Sequence, residues 1–310
     1  MNRRNFLKTG ALTATAAMSG PTWITPLEAG ESTQPHNETW VDTHLHCFAG
    51  IEDARFPYHE RAPYRPTKPA TPEHLLECMD AAGVDHAIVV HPEPYQDDHR
   101  YLEHCLEVGK GKLKGVGLFF ADRPGSLDKI GPLAKRIPLV ALRVHAYAPD
   151  RLPSFDSPEL RRIWTIASDL GLAVQLHFEP KYAANFLPLI KAFPDTNVII
   201  DHLGRPFQGL PEEHEIVFAM ANHPNTLIKL SAIPSTRQYP HRDITPIIHR
   251  LVAAFGPDRM IYGGGFGADA TGQTYKNAFE TARTYIQHLG STEQAMILGG
   301  NAKKRFGFQA

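Results

Sequence analysis

His44 and His46 stand one residue apart in the run Trp40-Val41-Asp42-Thr43-His44-Leu45-His46-Cys47-Phe48, which begins as a strand. On an extended strand alternate side chains share a face, so the two imidazoles project together and Leu45 projects opposite. Neutral imidazole suits Zn²⁺ and its neighbours, and two side by side form half of such a site. An isolated His-x-His is more often a hydrogen-bonded pair of no further consequence. Here histidines recur at matching places: His91, His145, His177 and His202 each close a β-rich run further along the chain. The 17 histidines in 310 residues are numerous, and this side chain is both the commonest metal ligand and the acid or base that works near neutral pH.

The elements that must position these residues alternate regularly. Strands are expected over 39–46, 86–91, 113–120, 139–145, 173–178, 197–202, 226–231 and 259–263. Helices are expected between them, over 72–82, 98–109, 126–136, 157–170, 182–193, 212–222 and 243–255, with a last pair over 274–289 and 292–306. Thr71-Pro72 and Ser157-Pro158 each put a capping side chain before a proline in the first turn, and Gly83, Gly109, Gly171 and Gly290 close their helices. Val198-Ile199-Ile200 reads as a parallel strand buried on both faces. Eight β-then-α units predict an α/β fold of one (β/α)₈ TIM barrel, ahead of an open doubly wound sheet. Active sites of such barrels lie at the C-terminal strand ends, which is where the histidines fall.

Three stretches then resemble a known family: Val41-Asp42-Thr43-His44-Leu45-His46 on strand one, Leu176-His177 on five, and Asp201-His202-Leu203-Gly204-Arg205-Pro206 on six. They look like the amidohydrolase superfamily, and within it the amidohydrolase-2 group, which includes sugar lactonases, pyrone-dicarboxylate lactonases and, more distantly, metal-dependent decarboxylases. The approach to strand eight, Phe255 to Gly263, and the tail Gly300-Asn301-Ala302-Lys303-Lys304-Arg305-Phe306 are similar to that group too. The resemblance implies that His44, His46 and His177 hold one divalent metal ion, zinc by preference, and that His202 polarises the substrate. Some lactonases of the group work without metal and use the same histidines as hydrogen-bond donors, so both uses stay open. Asp201 is expected to point away from the site and support the barrel.

Strand eight departs from the family pattern. The group carries Gly-Ser-Asp there, and this chain has Gly263-Gly264-Gly265, with Gly265 in the place of the aspartate. Glycine can neither bind metal nor take a proton. Asp269, four residues on, becomes the expected catalytic base, with His91 or His145 as alternatives. Arg143 and His145 share one face of strand four, and Lys229 and Ser231 one face of strand seven. With His91 and Arg205 they form the expected substrate-binding set, and Arg123 starts another loop nearby. Arginine forks match carboxylates, so the set predicts a small-molecule substrate that is anionic. The long polar and aromatic loop 56–69 is placed to lie across the barrel mouth as a partial lid.

Composition sets the outer limits. A net charge of −1 and a pI near 7.0 give no field that would gather nucleic acid or an anionic membrane. Asn2-Arg3-Arg4-Asn5-Phe6-Leu7-Lys8 matches the twin-arginine export pattern, and the mild apolar run after it is too short to anchor in a bilayer. The expected organisation is a signal peptide over 1–30, a linker over 31–38 and the barrel over 39–310, with the export machinery as partner and the periplasm as destination. Cys47, Cys78 and Cys105 have no metal spacing and read as core residues. The sequence therefore points to an exported hydrolase of a lactone or related cyclic ester. A metal-dependent decarboxylase of a small unsaturated acid and a non-catalytic periplasmic binding protein are the rival readings.

Overall fold

The computed structural model describes residues 38–147, 151–235 and 237–309. The expected signal peptide lies outside them, as does all of the linker but Glu38.

Eight strands follow one another in space as in sequence, all parallel: β1 (Val41–Leu45), β2 (His86–Val90), β3 (Leu113–Leu118), β4 (Leu139–Ala146), β5 (Ala173–Phe178), β6 (Val198–Ile200), β7 (Thr226–Leu230) and β8 (Met260–Tyr262). The barrel comes round on itself where Thr43 Oγ1 donates to Tyr262 O at 2.6 Å and Gly264 N donates to Asp42 Oδ1 at 2.8 Å. The helices are α1 (Pro72–Ala82), α2 (Arg100–Val108), α3 (Ile130–Arg136), α4 (Pro158–Asp169), α5 (Leu187–Ala192), α6 (Pro211–Met220), α7 (Thr245–Phe255), α8 (Gly272–Tyr285), α9 (Ser291–Ala295) and α10 (Asn301–Phe306). This is the expected (β/α)₈ barrel. No described helix is long and apolar enough to cross a membrane.

The caps act as the sequence implied. Thr71 Oγ1 accepts from His74 N at 3.2 Å, and Ser157 Oγ from Leu160 N at 3.0 Å. The final helix differs from expectation: a π turn over Met296–Gly300 separates α9 from α10. Gly299 explains it, because a β-carbon there would stand 1.9 Å from Thr39 O. The chain widens so that its backbone can press on the start of β1. All three cysteines are free and buried.

Side chains alternate between two layers, as the period of a strand requires. Trp40, Leu45, Val89, Leu142 and Leu176 face the helices. Val41, Ile88, Val90, Val116, Ala141, Ala173, Ile199, Leu227 and Ile261 fill the barrel floor. Two residues beyond Ala141, Ala173, Ile199 and Leu227 the interior turns polar, with Arg143, Gln175, Asp201 and Lys229 all buried. Two further again, His145 and His177 face each other as register partners.

Candidate active site

Asp201 lies at the centre of the polar layer. Its Oδ2 accepts from Arg143 Nε at 3.2 Å, from Arg143 Nη2 at 3.0 Å and from Gln175 Nε2 at 3.0 Å. Its Oδ1 is 3.2 Å from Lys229 Nζ and 3.4 Å from His44 Nδ1. Lys229, 1% exposed, also donates to Thr43 O at 3.0 Å and Gln175 Oε1 at 3.1 Å. Burial alone would raise the Asp201 pKa; Lys229, His44 and Arg143 outweigh it and hold the carboxyl well below its usual range. Burial pulls Lys229 downward, and Asp201 opposes that pull.

The expectation that Asp201 turns away from the site is therefore corrected. Strict alternation would send Asp201 and His202 to opposite faces, but the chain stops being a strand between them. His202, Leu203, Gly204 and Arg205 take φ values of 55°, 56°, 67° and 55°, a left-handed run that L-residues avoid. Gly204 N bonds Asp201 O at 2.9 Å, and His214 Nε2 meets Leu203 O at 2.8 Å, holding the bend. Both Asp201 and His202 then face the barrel. Such strain persists where its surroundings fix it, commonly at functional sites.

Above this layer five imidazoles form a continuous row. Ring centroids are 5.1 Å apart for His46 and His44, 4.4 Å for His44 and His202, 5.1 Å for His202 and His177, and 5.2 Å for His177 and His145. Asp42 sets the position of the first pair, its Oδ1 accepting from His44 N and its Oδ2 from Tyr275 OH, each at 2.8 Å. Gly263 matters at this point, since a β-carbon there would come within 2.7 Å of His44 Cβ. Burial is the largest cause lowering every one of these histidines: His46 and His145 to about 4, His202 to about 3, and His44 and His177 well below the ordinary value. Arg143 adds to the effect on all but His44, and Lys229 on His44 and His202. The row is neutral at pH 7, the form that binds metal and accepts protons.

Among the described residues, the group able to hold a metal ion is His44, Asp201 and His202, whose ligand atoms all lie within 4.8 Å of one another. His44 Nε2 is buried with no hydrogen-bond partner. This imidazole and carboxylate set fits one divalent ion, and it shares His44 with the expected His44, His46 and His177. His46 Nδ1 lies 2.6 Å from Val90 O, a bond that leaves its Nε2 available as a ligand, and His177 sits one ring further along the row.

The other expected residues divide clearly. His145 faces the site, and Arg205 joins His177 and His202 around a cavity of 310 Å³. Arg143 lies beneath the row with its fork taken up by Asp201. His91 does not reach the mouth: Ile88 and Val90 fill the interior, so the next residue faces outward. Its ring packs on His99 at 4.3 Å, and its Nε2 lies 3.0 Å from Gln96 O. Asp269 stands on the rim, 79% exposed and paired with Lys68 at 2.8 Å. Gly265 points at α8, where a β-carbon would meet Ala278 Cβ at 2.6 Å, and its φ of 111° suits glycine. A carboxylate at that position would be turned away from the histidines. Loop 56–69 borders the mouth, with Pro66, Thr67 and Lys68 beside His44 and His46 and Arg61 and Pro63 edging the cavity beside His145. Sequence reasoning missed Glu93, whose Oε1 is 3.1 Å from His145 Nδ1. A lone glutamate in a Pro-flanked turn gave no signal.

Residues 41–308 match the family model described as amidohydrolase. The 4-sulfomuconolactone hydrolase of Rhizobium radiobacter is 28% identical over 230 residues, covering 72% of this chain and 73% of that protein. The 2-pyrone-4,6-dicarboxylate hydrolase of Comamonas testosteroni is 26% identical (72% and 75% covered), and the L-fucono-1,5-lactonase of Burkholderia ambifaria 28% identical (74% and 83% covered). Among solved structures, a probable 2-pyrone-4,6-dicarboxylic acid hydrolase from Acinetobacter baumannii with citric acid bound superposes with a TM-score of 0.69 at 21% identity, covering 87% of this chain and all 100% of that one. An amidohydrolase from Burkholderia multivorans with bound zinc gives 0.66 at 15% identity, with the same coverage. A 2,6-dihydroxybenzoate decarboxylase gives 0.60 at 14% identity, covering 87% and 99%.

Proposed function

The chain belongs to the amidohydrolase family, and from that premise we propose that it hydrolyses a lactone, opening the ring to a hydroxy acid. The observation that carries this reading is the row of neutral histidines around Asp201, open at the strand ends to a cavity that also holds Arg205. The lactone hydrolases among its relatives support the same reaction class.

In this reading one divalent ion, zinc by preference, would be held at His44 and Asp201 and would supply carbonyl polarisation and a water acidified toward neutrality. The chain's own residues do the rest. His202, fixed by Ser231 Oγ at 2.9 Å from its Nδ1, turns its other nitrogen toward the carbonyl oxygen as charge develops there. His145, whose Nε2 is buried without a partner, takes the proton from water and returns it to the departing ring oxygen. Arg205, with Nη1 buried and unpartnered, receives a substrate carboxylate.

The test is turnover of a lactone panel by metal-analysed protein. Ring opening supports the proposal. Release of CO₂ from unsaturated acids, with no lactone opened, would favour the decarboxylase reading, and tight ligand retention without turnover the binding-protein one. We further infer export, on the twin-arginine match at Arg3 and Arg4. Replacing both by lysine should leave full-length precursor in the cytoplasm, and unchanged delivery would refute the inference.

A further inference from the structure

The cavity beside His145 measures 460 Å³ and has two unlike ends. Leu118, Phe120, Val144 and Leu152 form an apolar wall, and Glu93, His145 and Arg151 form the polar end. Glu93 comes from the short 3₁₀ turn Glu93–Tyr95 that follows β2. Tyr147 donates its hydroxyl to Glu93 Oε2, and Oε1 is 3.1 Å from His145 Nδ1 and 3.5 Å from Arg151 Nε. Burial opposes ionisation of this carboxyl, yet His145, Tyr147 and Arg151 outweigh it and bring it to about 2. The chain thus supplies its own anion where a substrate anion could otherwise bind.

The neighbouring cations are also engaged. Arg123 donates to Gln96 Oε1 at 2.5 Å and lies 4.0 Å from Asp97, and Arg143 is held by Asp201. Arg61 is exposed at the outer edge of the cavity. Among the described residues lining these cavities, the cation with a buried, unpartnered nitrogen is Arg205, half-buried beside the 310 Å³ cavity and near Glu179. Charge therefore divides across the mouth, with room for one anion at Arg205 and a resident anion at Glu93.

We propose that the substrate is a lactone carrying at most one negative charge, with an uncharged, hydroxyl-bearing arm lying against Glu93. The proposal rests on the lactone reading and narrows it to hydroxylated, sugar-acid-like lactones over dicarboxylates and sulfonates. A carboxylate accepts hydrogen bonds from hydroxyl groups, and the apolar wall covers the carbon skeleton. A second carboxylate or sulfonate in the same place would meet like charge in a poorly solvated pocket, which is a means of refusing the wrong substrate.

Two measurements test this. Wild-type kcat/KM should favour L-fucono-1,5-lactone or D-glucono-1,5-lactone over 2-pyrone-4,6-dicarboxylate by about tenfold or more. Calorimetry with isophthalate, a dicarboxylate that cannot react, should show about tenfold tighter binding to Glu93→Gln than to wild type. A wild-type preference for the dicarboxylate, or equal isophthalate affinity in the two proteins, overturns the proposal. Should Glu93→Gln fail to fold, the wild-type preference decides alone. Should no lactone of either kind be opened, the lactone reading fails, and the calorimetry still decides whether Glu93 excludes a second anion.

Discussion

Asp201→Asn is expected to destabilise the fold by about 3–5 kcal/mol, the range for breaking a buried ion pair from one side. The size follows from what the variant leaves behind. Arg143 and Lys229 are both buried, and Asp201 is their shared carboxylate. Asparagine keeps the shape but not the charge, so two cations remain in the barrel with only Asp42, which acts on Lys229 from further off, as a counterion. Urea unfolding monitored by fluorescence measures the loss, and a change below about 1 kcal/mol would show that the charges are solvated or compensated in some other way. Exchanging Lys229 for methionine in the same protein should recover part of the loss, because it removes one of the stranded charges. The pH dependence has a definite sign. Asp201 titrates lower in the folded chain than in the unfolded one, so its contribution is complete above the unfolded value of about 3.9 and is lost as pH falls below it.

His202→Ala is expected to lower kcat on a lactone by about 10²- to 10³-fold, the usual cost of removing a group that stabilises a developing oxyanion. KM should change far less, because the interaction strengthens only as the carbonyl oxygen gains charge. The same variant removes one of the three groups able to share a metal ion, so metal retained after dialysis tells the two uses of His202 apart. A variant within threefold of wild-type kcat would remove His202 from the mechanism. If kcat falls while metal content stays at the wild-type level, His202 acts on the substrate and is not a ligand.

The sequence by itself determined the architecture. Strand-length apolar runs alternating with capped helical segments admit few arrangements other than a parallel barrel, because helix and strand periods are local properties of the chain. It also determined which end of the barrel carries the chemistry, since one histidine after another falls at a strand's C-terminal end. Tertiary structure decided which of those residues meet. His91 looked equivalent to His145, but whether a strand's last residue faces in or out depends on which of its faces the barrel floor selects. Asp201 and His202 would sit on opposite faces of a continuing strand, and the left-handed run after Asp201 brings both inward. That run depends on contacts with Ser231, beyond the next helix, and with His214 on that helix. The carboxylate beside His145 comes from Glu93, 52 residues earlier in the chain, while Asp269, close to the glycine-rich strand end, stands on the rim with Lys68. Periodicity records a residue's face within its own element. Distance between residues on different elements is fixed only when the barrel closes.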